Sequence, residues 1–160
     1  MGVLNTLTGT LILTLLGLVY IMSKVEKGLL RLVDANANRA REGLRVAEDV
    51  ARLIVCDEAL AVKLKELRHK LTELCSSVAG DTFLIAERNS QADLGRPAAF
   101  DSKEKSKDVR ELVQRNMRRS EEACRVLEET SGLVDGKVGS GFKELRFVMY
   151  DVEKLLLERF

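Results

Sequence analysis

Apolar residues recur every three or four positions along most of the chain, a spacing that predicts amphipathic helices. Such faces cover residues 29–54, 60–78, 113–134 and 145–156. The connections within the first pair of faces and within the last pair are short, and short connections favour antiparallel neighbours. The pattern therefore predicts an all-α fold, a helical bundle with Asp57 and Ser106 as N-caps of two of its helices.

The N-terminus has a different pattern, because residues 1–23 carry no charge and Lys24 is the first charged residue. The run at 3–22 is long enough to cross a bilayer as a helix. It lacks the basic start and the small-residue cleavage site of a signal peptide. We expect an extra apolar helix, with three explanations open. It is a membrane anchor that leaves residues 24–160 on the cytoplasmic side, a buried helix, or an extension upstream of a start at Met22.

A repeated motif is the most informative feature of the chain. Residues 36–49 read NANRAREGLRVAED and residues 116–129 read NMRRSEEACRVLEE, which share N-x-x-R-x-x-E-x-x-R-V-x-E-[DE]. The tetrapeptide KELR also occurs twice, at 65–68 and 143–146. The repeat predicts two long-helix hairpins, at about 25–79 and 107–160, related by a pseudo-two-fold axis. Residues 80–106, which contain the only proline, are expected to form a linker long enough to be a functional loop.

Two asparagines of the repeat, Asn36 and Asn116, fall in the middle of apolar helix faces. A buried amide without hydrogen bonds costs about 1–3 kcal/mol, so both must find partners. They are either structural asparagines that fix the helix register or part of a polar pocket with Arg39 and Arg119. Because both copies keep the Asn–Arg pair, the pocket is the preferred interpretation.

A second polar row of the repeat lies on the opposite helix face. Its members are Glu42, Arg45 and Asp49 in the first copy and Glu122, Arg125 and Glu129 in the second. Taken alone, this spacing is typical of solvated salt bridges that contribute a few tenths of a kcal/mol. Where neighbouring helices cover such a row, arginines can bind phosphate and carboxylates can bind Mg²⁺.

Composition excludes several classes of protein. The chain has 26 basic and 25 acidic residues, a net charge of +1, which argues against a nucleic-acid partner. Cys56, Cys75 and Cys124 form neither a disulfide framework nor a zinc site, and we expect reduced thiols in apolar positions. His69 is the only histidine, which excludes a histidine-based metal cluster. The glycine-rich residues 136–141 lack the Walker order and are expected to form an interhelical turn.

Residues 34–52 closely resemble the signature D-x-N-x-N-R-A-x-E-G-L-R-V-x-E-D-x-A-R of an all-helical family of thiamine biosynthesis. The resemblance extends over about residues 25–156. It includes Leu67-Arg68-His69, Asp93-Leu94-Gly95, the second copy of the motif and residues 145–154. Members of this family occur alone or fused ahead of thiamine-phosphate synthase. They are assigned as a second type of hydroxymethylpyrimidine phosphate kinase.

The resemblance implies transfer of the γ-phosphoryl group of ATP, with Mg²⁺, to 4-amino-5-hydroxymethyl-2-methylpyrimidine phosphate. The product would be the diphosphate that thiamine-phosphate synthase uses. The alternative within the family is an accessory or ligand-binding module of the synthase without its own catalysis. A membrane-anchored helical scaffold is a third interpretation. The expected partners are ATP, the pyrimidine phosphate, the synthase and a second copy of the chain, in the cytoplasm.

From the activity that the resemblance implies, we assign roles to three groups of residues as a hypothesis. The group expected to act in catalysis and to contact phosphates is Arg39, Glu42, Arg45, Arg119, Glu122 and Arg125. Binding of the pyrimidine or ATP is assigned to Asn36, Asn38, Asn116, Arg68, His69, Asp93 and Arg146. The carboxylates assigned to Mg²⁺ are Glu48, Asp49, Glu128 and Glu129.

Overall fold

The structure is a computed structural model that describes residues 3–91, 93 and 105–160, with the side chains of these residues except 3–23, 81 and 83. Helix α1 spans Val3–Val50 and passes into a π-helical turn, Ala51–Val55. The helices that follow are α2 (Glu58–Val78), α3 (Asp81–Ala86), α4 (Val109–Gly132) and α5 (Gly136–Leu157). The described segments contain no strand, and the predicted all-α bundle is confirmed.

Four long helices form the bundle: α1 packs on α2 and α4, and α5 packs on α4 and α2. The predicted apolar faces supply the core, whose largest fully buried side chains include Leu44, Leu64, Met117, Leu127, Phe142 and Met149. The prediction is wrong at the ends of two apolar faces, because Ile54 and Val134 are exposed. Ile54 lies in the π-helical turn, whose wider spacing rotates it out of the stripe, and Val134 follows the end of α4.

Equivalent residues of the two copies meet where α1 crosses α4. Ser120 Oγ donates to the carbonyl oxygen of Ala40 at 3.0 Å, and these residues occupy the same position in the repeat. A Cβ on Gly43 would collide with the Asn116 carbonyl oxygen and Ser120 Oγ. Gly43, three residues after Ala40 in α1, contacts Asn116, four residues before Ser120 in α4, so the two helices are antiparallel. A pseudo-two-fold axis that relates the two copies therefore passes near Ala40 and Ser120.

The glycine-rich residues 136–141 are not a turn but the start of α5, which corrects the expectation from composition. Asp135 caps this helix by accepting a hydrogen bond from the Lys137 N–H at 2.8 Å. A Cβ on Gly139 would lie 3.0 Å from the Glu128 carbonyl oxygen, and one on Gly141 would lie 2.7 Å from the Leu74 side chain. These glycines therefore permit close helix packing, which outweighs their poor helix propensity.

The two expected N-caps have different outcomes. Asp57 is confirmed, since its carboxylate accepts from the Leu60 N–H at 3.1 Å. Ser106 is wrong, because the cap of α4 is Asp108, which accepts from the Glu111 N–H at 2.7 Å. A carboxylate three residues before Glu111 has the right reach, whereas Ser106 lies two residues further out.

The thiols also differ from one another. Cys75 and Cys124 are buried as expected, and burial raises the pKa of Cys124 to about 12. Cys56 is exposed, contrary to the expectation of an apolar position, and its φ of 58° lies in the left-handed region. This conformation ends the π-helical turn and points the Cys56 residue out of the core.

The ends of the first repeat also differ from expectation. The N-terminal segment is not a separate helix, because α1 is continuous from Val3, and the expected linker begins with helix α3. No helix is long and apolar enough to cross a membrane among the residues whose side chains are described. The apolar run at 3–22 lies outside those residues, so its membrane contact stays a prediction.

Candidate functional site

A cleft of about 510 Å³ lies between α1 and the segment after α3. We call it the linker cleft, and its charged and amide-bearing lining is Arg31, Asp34, Asn38, Arg39, Arg88, Asn89 and Asp93. Arg88 clamps the buried Asp34 carboxylate with two hydrogen bonds of 2.7 and 2.6 Å. Asn38 donates to the same carboxylate at 3.3 Å. The clamp ties the segment after α3 to α1 and brings the predicted residues Asn38, Arg39 and Asp93 to one cleft.

Asp34 and Arg88 were missing from the sequence-based assignment. Asp34 is the first residue of the signature, which was a signal for its role. Arg88 lies outside every motif, so no local pattern could have identified it. The hydrogen bonds with Asp34, and its charge, raise the pKa of Arg88.

The two asparagines make the same hydrogen bond in both copies. Asn36 Nδ2 donates to the Leu32 carbonyl oxygen and Asn116 Nδ2 to that of Leu112, each at 2.8 Å. Asn36 Oδ1 also accepts from Arg39 at 3.4 Å. Both amides therefore contribute to helix geometry, and Asn36 additionally orients the guanidinium of Arg39 toward the linker cleft.

Each copy also builds a carboxylate clamp, which we define as a largely buried glutamate held by two arginines. Glu48 pairs with Arg45 of its own helix at 3.3 Å and with Arg68 of α2 at 2.9 Å. In the second copy, Glu128 pairs with Arg125 at 2.5 Å and with Arg146 of α5 at 2.9 Å. The duplicated KELR tetrapeptide thus provides the second arginine of each clamp, since Arg68 and Arg146 are its last residues.

The first clamp adjoins a cleft of about 490 Å³ between α1 and α2, here the α1–α2 cleft. Its charged lining is Arg45, Glu48, Arg52, Glu58, Lys65 and Arg68. Because Glu48 is already paired with two guanidiniums, positive charge dominates the rest of this surface. Such a surface suits a phosphate-bearing ligand.

The second clamp adjoins a smaller cleft of about 330 Å³, here the α4–α5 cleft. It is lined by Arg118, Glu121, Glu122, Arg125, Arg146 and Tyr150. The Arg146 guanidinium lies 5.6 Å from the Tyr150 ring centroid and donates to the Tyr150 hydroxyl at 2.8 Å. An aromatic ring and a guanidinium in contact with it therefore line this cleft, together with Arg118 and Arg125.

Glu121 is the most perturbed carboxyl group in the described part of the chain. Burial, together with the charge of Glu153, raises its pKa to about 7. Burial also raises the pKa of Glu153. Sequence reasoning missed Glu121; its signal was that the first copy has Arg41 at this position.

The remaining predicted residues lie elsewhere. Glu42 and Arg119 form an exposed ion pair of 3.2 Å across α1 and α4. Asn116 and Arg119 line a separate cleft of about 290 Å³. His69 is exposed on α2 and lines none of the described clefts. The predicted site residues are thus distributed over several clefts and do not form one pocket.

The carboxylates assigned to Mg²⁺ differ in their availability. Glu48 and Glu128 are neutralised within the clamps. Asp49 and Glu129 are more exposed; Asp49 pairs with both Arg45 and Arg52, whereas Glu129 pairs with Arg125. No group of three or more ligating side chains occurs among the described residues. One or two carboxylates with substrate phosphates suffice for Mg²⁺ in phosphoryl-transfer sites, and Glu129, which lines a cleft, fits that requirement better than Asp49.

The chain matches a known protein family and several thiamine-phosphate synthases. The model described as "ThiD2 family" matches residues 31–155. A thiamine-phosphate synthase of Synechocystis sp. is 39% identical over 127 residues, which cover 79% of this chain and 36% of that enzyme. The thiamine-phosphate synthase of Nostoc punctiforme is 33% identical over 134 residues, 84% of this chain and 37% of the enzyme. The thiamine-phosphate synthase of Rhodopirellula baltica is 33% identical over 126 residues, which cover 78% of this chain and 33% of that enzyme.

The chain therefore spans about a third of the length of these relatives. No solved structure matches it. The family match covers both copies of the repeat, from Arg31 at the linker cleft to Leu155 in α5. On this match the chain belongs to the ThiD2 family.

Proposed function

We propose that the chain transfers the γ-phosphoryl group of ATP to 4-amino-5-hydroxymethyl-2-methylpyrimidine phosphate, with Mg²⁺. The product is the pyrimidine diphosphate that thiamine-phosphate synthase consumes. Membership of the ThiD2 family and similarity to thiamine-phosphate synthases connect the chain with thiamine biosynthesis. The kinase activity is a more specific proposal than this connection, and the chemistry of the clefts supports it.

The convergence of separate motifs at the linker cleft is the observation that carries the proposal. Asn38 and Arg39 come from the signature in α1, and Asp93 comes from a motif more than 50 residues later. Arg88 fixes this arrangement through the Asp34 carboxylate. A structural role alone does not require two distant motifs to face the same open cleft, whereas a ligand site does.

The positive charge at this cleft fits a phosphate-bearing ligand. Arg31 and Arg39 line it, and Asn36 holds Arg39 by the hydrogen bond described above. Guanidinium groups present planar donors that match phosphate oxygens. A held arginine loses less side-chain freedom on binding than a free one, because its orientation is already restricted.

The proposed reaction requires little covalent chemistry of the protein. An oxygen of the acceptor phosphate forms a bond to the γ-phosphorus, and the bond from that phosphorus to the β,γ-bridging oxygen breaks, which releases ADP. The acceptor oxygen is already ionised, so no strong general base is needed, and His69 can be remote from the clefts. The residues of this chain contribute by positioning the two substrates and by offsetting negative charge.

Mg²⁺, when bound, supplies positive charge at the β- and γ-phosphate oxygens. Glu129, whose side chain is exposed and paired with Arg125, is the carboxylate that would hold it. The arginines of the two carboxylate clamps would remain paired with Glu48 and Glu128 and keep the edges of the clefts rigid. This division assigns the clamped glutamates a positioning role.

The test supplies the full purified chain with ATP, Mg²⁺ and the pyrimidine monophosphate, and separates the products by ion-exchange chromatography. We expect equal amounts of ADP and pyrimidine diphosphate. Arg39→Ala should lower turnover by about tenfold or more with unchanged helicity. Arg110→Ala is the matched control, since Arg110 is an exposed arginine of α4 that lines none of the described clefts.

Two outcomes would contradict the kinase proposal. No diphosphate from folded protein would reject it, and binding of the pyrimidine without turnover would favour the accessory module instead. That alternative has a specific observation in its favour, because the relatives are more than twice as long as this chain. Retained activity of Arg39→Ala would remove Arg39 from the site while leaving the activity intact.

A further inference from the structure

The repeat is broken in one chemically important position. In the first copy, Arg41 donates to the Thr72 hydroxyl at 3.2 Å and to Asn38 at 3.4 Å, so its guanidinium is held. The second copy has Glu121 at the equivalent position. Glu121 is only 7% exposed, and no described group hydrogen bonds its Oε1 atom. The hydrogen-bonded guanidinium of the first copy thus corresponds in the second copy to a buried carboxyl oxygen without a hydrogen-bond partner.

A partnerless buried carboxyl oxygen is costly unless a ligand completes its hydrogen bonds. Glu153 on α5 does not complete them, because its own Oε1 is also buried without a partner. The charged groups that influence Glu121 are Arg118 and Glu122 on its own helix and Glu153 and Arg146 on α5. The two glutamates repel each other when ionised, which favours retention of a proton on Glu121.

A carboxyl group that carries a proton presents a donor and an acceptor side by side. The complementary partner is a ring nitrogen next to an exocyclic amino group: the O–H donates to the nitrogen and the carbonyl oxygen accepts from the amino group. Aminopyrimidines have this edge, and so does adenine. Glu121 lines the α4–α5 cleft together with Tyr150 and Arg146, and the Arg146 guanidinium contacts the Tyr150 ring.

We propose that the α4–α5 cleft binds the amino-substituted edge of a nitrogen heterocycle through Glu121, with the ring against Tyr150 and Arg146 and its phosphate at Arg118 and Arg125. This inference rests on the proposed function, because it assigns one of that reaction's two substrates to the second copy of the repeat. The cleft is smaller than the linker and α1–α2 clefts. Its size therefore favours the single-ring pyrimidine monophosphate over ATP.

Binding measurements with each ligand alone separate this inference from the kinase activity. Calorimetry is performed with the pyrimidine monophosphate and, in a second arm, with ATP and Mg²⁺. Glu121→Met preserves the size of the side chain and removes its hydrogen bonds, so it should weaken binding of the monophosphate by about tenfold or more. Binding of ATP should be unchanged. The control is Glu144→Gln, an exposed residue of α5 outside the α4–α5 cleft.

A second variant gives a result that a structural role would not produce. Glu121→Gln keeps a donor and an acceptor side by side but cannot ionise. Wild-type affinity for the monophosphate should fall between about pH 7 and pH 9, as Glu121 loses its proton, while the affinity of Glu121→Gln stays constant. The ligand phosphate changes little in this range, because its second pKa is about 6.

The outcomes are distinct. If Glu121→Met, folded by circular dichroism, binds both ligands as wild type does, the proposal is rejected even where diphosphate still forms. If only ATP binding is weakened, the cleft recognises the adenine edge and the assignment to the pyrimidine is wrong. If the monophosphate binds through Glu121 but no diphosphate forms, the cleft assignment stands and the kinase proposal fails.

Discussion

Ser120 donates a hydrogen bond from its hydroxyl to the main-chain oxygen of Ala40, its own counterpart in the repeat. Equivalent residues can touch only near the axis that relates them, so this bond locates the pseudo-two-fold axis of the bundle. The Ser120 hydroxyl also lies 3.0 Å from the Asn116 carbonyl oxygen. The two hairpins therefore approach closely enough for a short side chain of α4 to bond the main chain of α1. This crossing sets the relative positions of the clefts on either hairpin.

Gly43→Ala tests how closely the two hairpins must approach. The new Cβ would meet the Asn116 carbonyl oxygen, which is main chain and cannot rotate away. We expect a loss of about 1–3 kcal/mol in the free energy of unfolding, as for other overpacked cores. Chemical denaturation measured by circular dichroism would show this as a lower midpoint.

Gly28→Ala is the matched control for that experiment. Gly28 lies in the same helix, is exposed, and a Cβ there would meet nothing within 4 Å. The free energy of unfolding should rise by about 0.5–1 kcal/mol, because alanine favours helix over glycine. Equal effects of the two substitutions would mean that the α1–α4 crossing tolerates expansion.

The carboxylate clamps make a separate prediction about stability. Arg146→Ala removes the α5 arginine from Glu128, whose side chain is 13% exposed. We expect a loss of about 2–4 kcal/mol, since a nearly buried carboxylate keeps only one partner. Lys70→Ala breaks the exposed ion pair with Glu73 and should change the free energy of unfolding by less than about 1 kcal/mol.

The double variant Arg146→Ala with Glu128→Gln separates charge from packing. Removing the charge of a carboxylate that has lost one of its two arginines should recover part of the loss in the free energy of unfolding. No recovery would mean that the effect of Arg146→Ala comes from its lost contacts with the Phe147 and Tyr150 rings.

The long helices and their pairing were predictable from sequence because both depend on local spacing and on the repeat. The helical start of α5 was not, because its glycines are explained by contacts with α4 and with Leu74, far away in the chain. Helix propensity is a weak guide where tertiary packing intervenes. The same limit applies to Ile54, which a single π-helical turn rotates into solvent.

The sequence pointed to several residues that line the described clefts, such as Asn38, Arg39 and Arg146, but not to how they are arranged. The repeat identified Glu48 and Glu128 as polar residues of interest, but not that an arginine from the neighbouring helix pairs with each. Periodicity fixes the face that a residue occupies, whereas its partner depends on the relative register of two helices. Arg88 could not be found at all, because its contact with Asp34 joins residues 54 apart in sequence.

Arg88→Ala should loosen the segment after α3. Arg88 supplies the two hydrogen bonds that tie this segment to Asp34 in α1. Hydrogen exchange of amides 84–91 should become about tenfold faster or more, which corresponds to loss of about 1.5–3 kcal/mol of charge-assisted hydrogen bonding. On the proposed function, turnover should also fall.

Arg159→Ala is the control for the Arg88 experiment. Arg159 makes a comparable two-nitrogen contact with Asp57, at 3.1 and 2.9 Å, away from the linker cleft. Its loss should leave exchange at amides 84–91 unchanged. Faster exchange there in both variants would indicate general destabilisation in place of a local release.

The raised pKa of Glu121 predicts how stability depends on pH. The ordinary pKa of a glutamate, 4.5, applies to the unfolded chain, and the folded value is about 7. Between these values the folded state binds more protons than the unfolded state, so the free energy of unfolding of the wild type falls as pH rises. Above about pH 7 Glu121 is ionised in both states, so its cost to the free energy of unfolding no longer changes with pH.

Glu121→Gln has no such titration. Its free energy of unfolding should exceed that of the wild type by about 1–2 kcal/mol at pH 8 and by almost nothing at pH 4. Urea denaturation at several pH values measures the difference, with Glu144→Gln as the exposed control that should show no change across this window. A constant difference between Glu121→Gln and wild type at all pH values would mean that Glu121 titrates normally in the folded protein.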